Sequence, residues 1–222
     1  MKGQKVGGNW PNKPYLAFSK RKNMALEPQT EIEQYVQTYF GIGGRGLAQV
    51  AALFEPQSMV RNDFLFKTGQ YAQSMSFLRT GYLRIYAEAA TGDKDITQWI
   101  APPGGFVTDL ASFTFEQPAR WNIQALTDCE LFTIPQSKYK TIADIYPAWP
   151  ALEKLFLAKC FITMENRIFD QLSLSAEGKY QQLFSANPEM FNQVPLQYIA
   201  SMLGMTPETL SRVRKKMSGA NG

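Results

Sequence analysis

The stretch from Val194 to Lys216 constrains this chain more than any other, because helix signals, a turn signal and a basic exit coincide in it. Leu196, Ile199, Ala200 and Leu203 recur at the spacing that lines one helical face, and Gly204 then supplies the positive φ of a sharp turn. The small side chain of Ala200 lets a second helix come close. Thr206 is a natural N-cap and Pro207 suits the first helical position, so a new helix begins there and buries Leu210 and Val213. The pattern predicts a helix-turn-helix. Thr206, Glu208, Thr209, Ser211 and Arg212, with Arg214, Lys215 and Lys216 behind them, are the candidate DNA-binding residues. Such side chains accept from cytosine, pair bidentately with guanine and neutralise phosphate. The alternative is an ordinary helical hairpin with a solvated charged face.

The formal charge of +4 adds little to that reading. Residues 1–24 hold six Lys/Arg and no acid, so the rest of the chain is slightly acidic. What counts is local: Arg212, Arg214, Lys215 and Lys216 cluster where phosphates would lie. Histidine is absent, which removes the usual general base, the commonest metal ligand and the usual proximal haem ligand. No spacing singles out a pair of carboxylates. The chain therefore reads as a non-enzyme with no metal and no cofactor. Cys129 and Cys160 lie far apart without metal-ligand spacing and read as apolar fillers. With no apolar run long enough for a membrane span and no secretory signal, a reducing cytoplasm and no membrane partner are expected.

Period and punctuation divide the chain further. Residues 1–24, rich in Gly, Pro, Asn and Lys, read as a mobile tail, with Met24 as an alternative start. Glu31 to Phe40 has helical spacing. Gly41-Ile42-Gly43-Gly44-Arg45-Gly46 satisfies G-x-G-x-x-G, but a helix precedes it where a dinucleotide fold needs a strand, so it reads as a flexible connector. From Met59 to about Ile134 the period becomes two, in short runs separated by glycine turns, which predicts a compact antiparallel roll or barrel. Pro150 to Leu172 predicts one long helix. In it Ala151, Leu155, Ala158, Ile162, Glu165, Phe169 and Leu172 step by four and three, the seam of a two-stranded coiled coil; a helix packed into its own chain's core is the alternative. Leu172 to Ser175 reads as a hinge, and Ser175 caps a further helix to about Phe184.

A glycine-punctuated roll, a coiled-coil-like helix, a hinge and a C-terminal helix-turn-helix together resemble the Crp/Fnr family of bacterial transcription regulators. The sharpest points are Phe66-Lys67-Thr68-Gly69-Gln70, Phe77-Leu78-Arg79-Thr80-Gly81-Tyr82 and Thr206-Pro207-Glu208-Thr209-Leu210-Ser211-Arg212. The resemblance implies an α+β chain: an N-terminal cyclic-nucleotide-binding-like jelly roll (25–146), a dimerisation helix (147–172) and a winged-helix-like helix-turn-helix domain (173–222). It also implies a homodimer on a palindromic double-stranded promoter site, where such a regulator meets RNA polymerase, with Glu208, Ser211 and Arg212 on base edges.

The effector site departs from the family pattern. Members that bind cyclic AMP carry Phe-x-Gly-Glu-Leu and then an Arg-Ser or Arg-Thr clamp; here the first element is Phe106-Val107-Thr108-Asp109-Leu110. Ala119 falls on the clamp arginine, and Arg120, one place along a strand, would face away from the pocket. A degenerate pocket follows, with Phe106, Thr108, Asp109, Leu110 and Arg120 as its candidate residues, cyclic nucleotide disfavoured and the effector unassigned. Asp109 alternatively satisfies a turn. The rivals are a cyclic-nucleotide-dependent regulator, a scaffold that binds only protein, and a cupin-like enzyme, which would need metal-ligating histidines inside the roll.

Overall fold

The computed structural model describes residues 28–219, so the tail expected at 1–24 lies outside the described residues. Helix α1 (Pro28–Phe40) repeats apolar residues every fourth place, and Ile32, Val36 and Phe40 are buried. Its face packs on the roll through aromatic rings, with Tyr35 stacked 3.9 Å from Phe77. Gly41 and Gly44 then take φ of 71° and 67° and turn the chain into α2 (Arg45–Ala51). Between them Ile42 is fully buried, and a Cβ on Gly46 would lie 2.5 Å from the Tyr146 ring. The glycine segment is therefore a packed corner rather than a flexible connector.

The period-two region forms seven of the eight strands among the described residues, preceded by β1 (Glu55–Met59): β2 (Phe64–Phe66), β3 (Ser74–Thr80), β4 (Leu83–Glu88), β5 (Asp95–Ala101), β6 (Phe106–Val107), β7 (Asn122–Ala125) and β8 (Cys129–Pro135). They pair antiparallel in two four-stranded sheets, ordered β1-β8-β3-β6 and β2-β7-β4-β5. Phe77, Leu78, Leu83, Ile123, Leu131 and Ile134 are fully buried in the core that the roll shares with its covering helices. At the β3–β4 turn Gly81 has a φ of 88°, and a Cβ there would come within 2.4 Å of the Asp128 carbonyl oxygen. Short helices α3 (Leu110–Phe115), α4 (Gln136–Lys140) and α5 (Ile142–Ile145) complete this part.

Helix α6 (Trp149–Ser173) follows α5 after a three-residue turn and is itself unbroken. It is anchored by Trp149 and Phe156, which are buried against Phe40 at ring separations of 4.6 and 4.7 Å. The seam residues point elsewhere: Leu155, Ile162, Phe169 and Leu172 are 59, 54, 69 and 83% exposed, and Ala151 and Ala158 are exposed with them. Phe161, Met164 and Ile168 widen the exposed apolar band.

The remaining elements are α7 (Ala176–Ala186), α8 (Met190–Gln193), α9 (Leu196–Met202) and α10 (Pro207–Gly219). No strand follows β8 among the described residues, so the wing of the expected winged-helix-like domain is not formed there and the unit is helical. Its core of Tyr180, Leu183, Phe191, Ile199, Leu210 and Val213 is shared with Tyr82, Ile100 and Leu126 of the roll. No helix among the described residues is long and apolar enough to cross a membrane.

Candidate nucleic-acid interface

Local sequence explains how α9 and α10 meet. Ile199 and Ala200 are fully buried on α9, and Ala200, with no bulk beyond Cβ, accepts the Met205 N–H at 3.0 Å as the chain turns. Gly204 adopts a φ of 69° in that turn. Thr206 Oγ1 accepts from the Thr209 N–H at 3.2 Å, which caps α10, while Leu210 and Val213 fix the inner face. Glu208, Ser211, Arg212, Arg214, Lys215 and Lys216 are left exposed, with Thr209 half-buried.

Not all of these groups are equally available. Lys216 Nζ lies 3.1 Å from Glu177 Oε1 in the first turn of α7, where Ser175 Oγ accepts from the Gly178 N–H at 3.1 Å. An exposed pair of this kind contributes little to stability, so Lys216 can exchange Glu177 for another anion at small cost. A backbone N–H, the Thr206 hydroxyl and the charge of Arg212 hold the Glu208 carboxyl below the usual carboxylate range. Glu208 is therefore an acceptor only, suited to an amino group. It shares a face with Ser211 and Arg212 at i, i+3 and i+4.

Of the five residues expected around an effector, Asp109 and Arg120 meet through the backbone, and the others make separate contacts. Phe106 belongs to an aromatic cluster, edge-on to Tyr39 and Phe77 with ring centroids 5.2 Å from each. Thr108 Oγ1 donates to the Ser74 carbonyl at 2.9 Å. Asp109, only 2% exposed, accepts from the backbone N–H groups of Ser112 (3.0 Å), Arg120 (2.8 Å) and Trp121 (3.2 Å), so it caps α3 and closes the following loop. Leu110 is half exposed. Ala119 is buried and Arg120 is exposed, its guanidinium stacked 4.8 Å from the Trp121 ring. Both thiols are pushed up from their ordinary value by burial. No group of three or more metal-ligating side chains is found among the described residues.

Sequence reasoning missed the junction between the roll and the helical unit. Arg84 on β4 is almost fully buried; its Nε donates to Thr97 Oγ1 at 2.9 Å, and NH1 lies 3.3 Å from Asp95. Tyr86 and Tyr198 cover its two sides at 3.9 and 4.1 Å. Along β5 the Thr97 N–H donates to Ser201 Oγ at 3.0 Å and the Ile100 N–H to Met202 Sδ at 3.3 Å. Beside this junction a cleft of about 420 Å³ opens between β5, α6, α7 and α9, with Trp99, Arg167 and Lys179 among its walls. Only the crowding of tyrosines around Arg84 hinted at any of this.

Residues 56–146 match the cyclic nucleotide-binding domain family in sequence. No protein of curated function matches the chain. Among solved structures, similarity extends to a putative cyclic nucleotide binding protein from Ruegeria pomeroyi (20% identity, 89% of each chain, TM-score 0.63). It extends also to FixK2 from Bradyrhizobium japonicum (16% identity, 76% of this chain and 86% of that one, TM-score 0.61). A third is the c-di-GMP responsive global regulator CLP from Xanthomonas campestris (17% identity, 77% and 89%, TM-score 0.59). The fold is thus α+β, a cyclic-nucleotide-binding roll of two antiparallel sheets followed by helices.

Proposed function

We propose that this protein is a homodimeric, sequence-specific DNA-binding transcription regulator of the Crp/Fnr type, a cytoplasmic non-enzyme that acts at palindromic promoter sites beside RNA polymerase. The observation that carries the reading is α10. Capped by Thr206 and held by Leu210 and Val213, it presents ionised Glu208, Ser211 and Arg212 on one exposed face, with Lys215 one turn on. The exposed seam of α6 supplies what a two-fold reader needs, because one half-site contributes too little for specific binding. The domain boundaries follow the roll (25–146), the dimerisation helix (147–172) and the helix-turn-helix unit (173–222).

The roll acts here without cyclic AMP. Asp109 spends both carboxylate oxygens on backbone N–H groups, and Arg120 lies outside on Trp121, so neither the ribose nor the phosphate of a cyclic nucleotide has its partner. The decisive experiment is selection of bound sequences from random duplex DNA with purified protein. A palindromic consensus is expected. Retention of every duplex alike, or of none, overturns the reading.

A further inference from the structure

Leu83 and Ile85 point into the roll, so Arg84 between them belongs to the outer face of β4, where an arginine is normally wet. Here it is 4% exposed. What covers it is α9, whose Tyr198 closes a stack begun by Tyr86 on Arg84's own strand. Removing a guanidinium from water is costly unless its plane is stacked and its donors are used; two rings, the Thr97 hydroxyl and Asp95 meet that need. The same helix satisfies β5's outer edge at Thr97 and Ile100. Along the chain only Leu174 and Ser175 link α6 to α7; the pose of α9 and α10 relative to the α6 seam is set by contacts of this kind together with Gln171 Nε2 on the Met202 carbonyl (3.0 Å) and Gln182 Nε2 on Asp170 (2.8 Å).

We propose that Arg84 is a positioning residue for DNA recognition: it clamps α9 to the β4–β5 hairpin and so fixes the separation and tilt at which the two α10 helices of a dimer meet the duplex. The proposal rests on the DNA-binding reading above. Half-site spacing in a palindrome reports that separation, whereas base preference within each half-site reports α10 alone.

The test uses full-length Arg84→Ala and Tyr198→Ala, with Tyr198→Phe as the variant that keeps the ring. Amide exchange is followed at Thr97 and Ile100, and each variant then selects from random duplex DNA. Both alanine variants should exchange about tenfold faster at those amides and accept a wider range of half-site spacings, with half-site bases unchanged; Tyr198→Phe should match the parent. Should Arg84→Ala fail to fold, Tyr198→Ala carries the test from the other side of the stack. Unchanged exchange overturns the clamp. Faster exchange with unchanged spacing overturns the positioning role and leaves Arg84 a stabilising group. If the parent protein selects no DNA, the DNA reading itself fails and the role in recognition falls with it, while the exchange data still report whether the clamp exists.

Discussion

Asp109 shows how a short carboxylate stem changes a residue's employment. Held close to the backbone, it reaches three N–H groups that a longer side chain would overshoot, and its oxygens are then occupied. Asp109→Ala should therefore cost about 2–4 kcal/mol in urea unfolding, because buried donors lose their acceptor. Calorimetry of the parent protein with millimolar cyclic AMP should show no saturable heat; a micromolar dissociation constant would mean that the 119–121 segment rearranges to bring Arg120 inward. At the proposed reading face, Arg212→Ala should cost about 1–3 kcal/mol and relax preference at one base pair, while Lys215→Ala should weaken all sequences alike and flatten the salt dependence by about one unit per protomer. Binding to every single-base variant of the selected site at two salt concentrations separates these outcomes. Arg120 is exposed as the sequence register suggested, but not by strand alternation: Ala119 and Arg120 lie in the loop before β7, outside any strand. The burial of Arg84 was not legible in sequence, since the ring that covers it arrives from a helix distant in the chain.

At the scale of elements, local signals served best where they were redundant. Cap, proline, turn glycine and apolar spacing all mark α10, and the helix begins at Pro207 as that combination requires. The polar run Glu55–Met59 has no alternation and contains a proline, yet it forms β1 because an edge strand needs only one partner, here β8. Strand β6 spans two residues and offers no period to detect. In α6 the sequence left seam and core as alternatives. The structure divides them between two faces, with Phe156 inward and the four-three set outward. Replacing Ile162 and Phe169 together with Lys should give a folded monomer in sedimentation equilibrium and abolish binding to the selected site. A monomeric parent protein at micromolar concentration would remove the basis for the seam.

For the molecule as a whole, only Leu174 and Ser175 of the segment read as a hinge lie outside the helices, and the two halves share an apolar core and a hydrogen-bonded edge that no local pattern announces. The way α9 lies along β5 also bears on solubility. β5 ends its sheet, and a bare strand edge offers unpaired N–H and C=O groups to any other chain. Where Ser201 and Met202 occupy those donors, the helical unit shields the roll from strand addition. A fragment ending at Ser173 should consequently scatter light and bind an amyloid-sensitive dye at concentrations where the full chain stays clear; an equally clear fragment would show that the edge protects itself. On this view the half proposed to read DNA is also the roll's guard against self-association, and any signal that lifts it from β5 exposes a sticky edge as well as freeing α10.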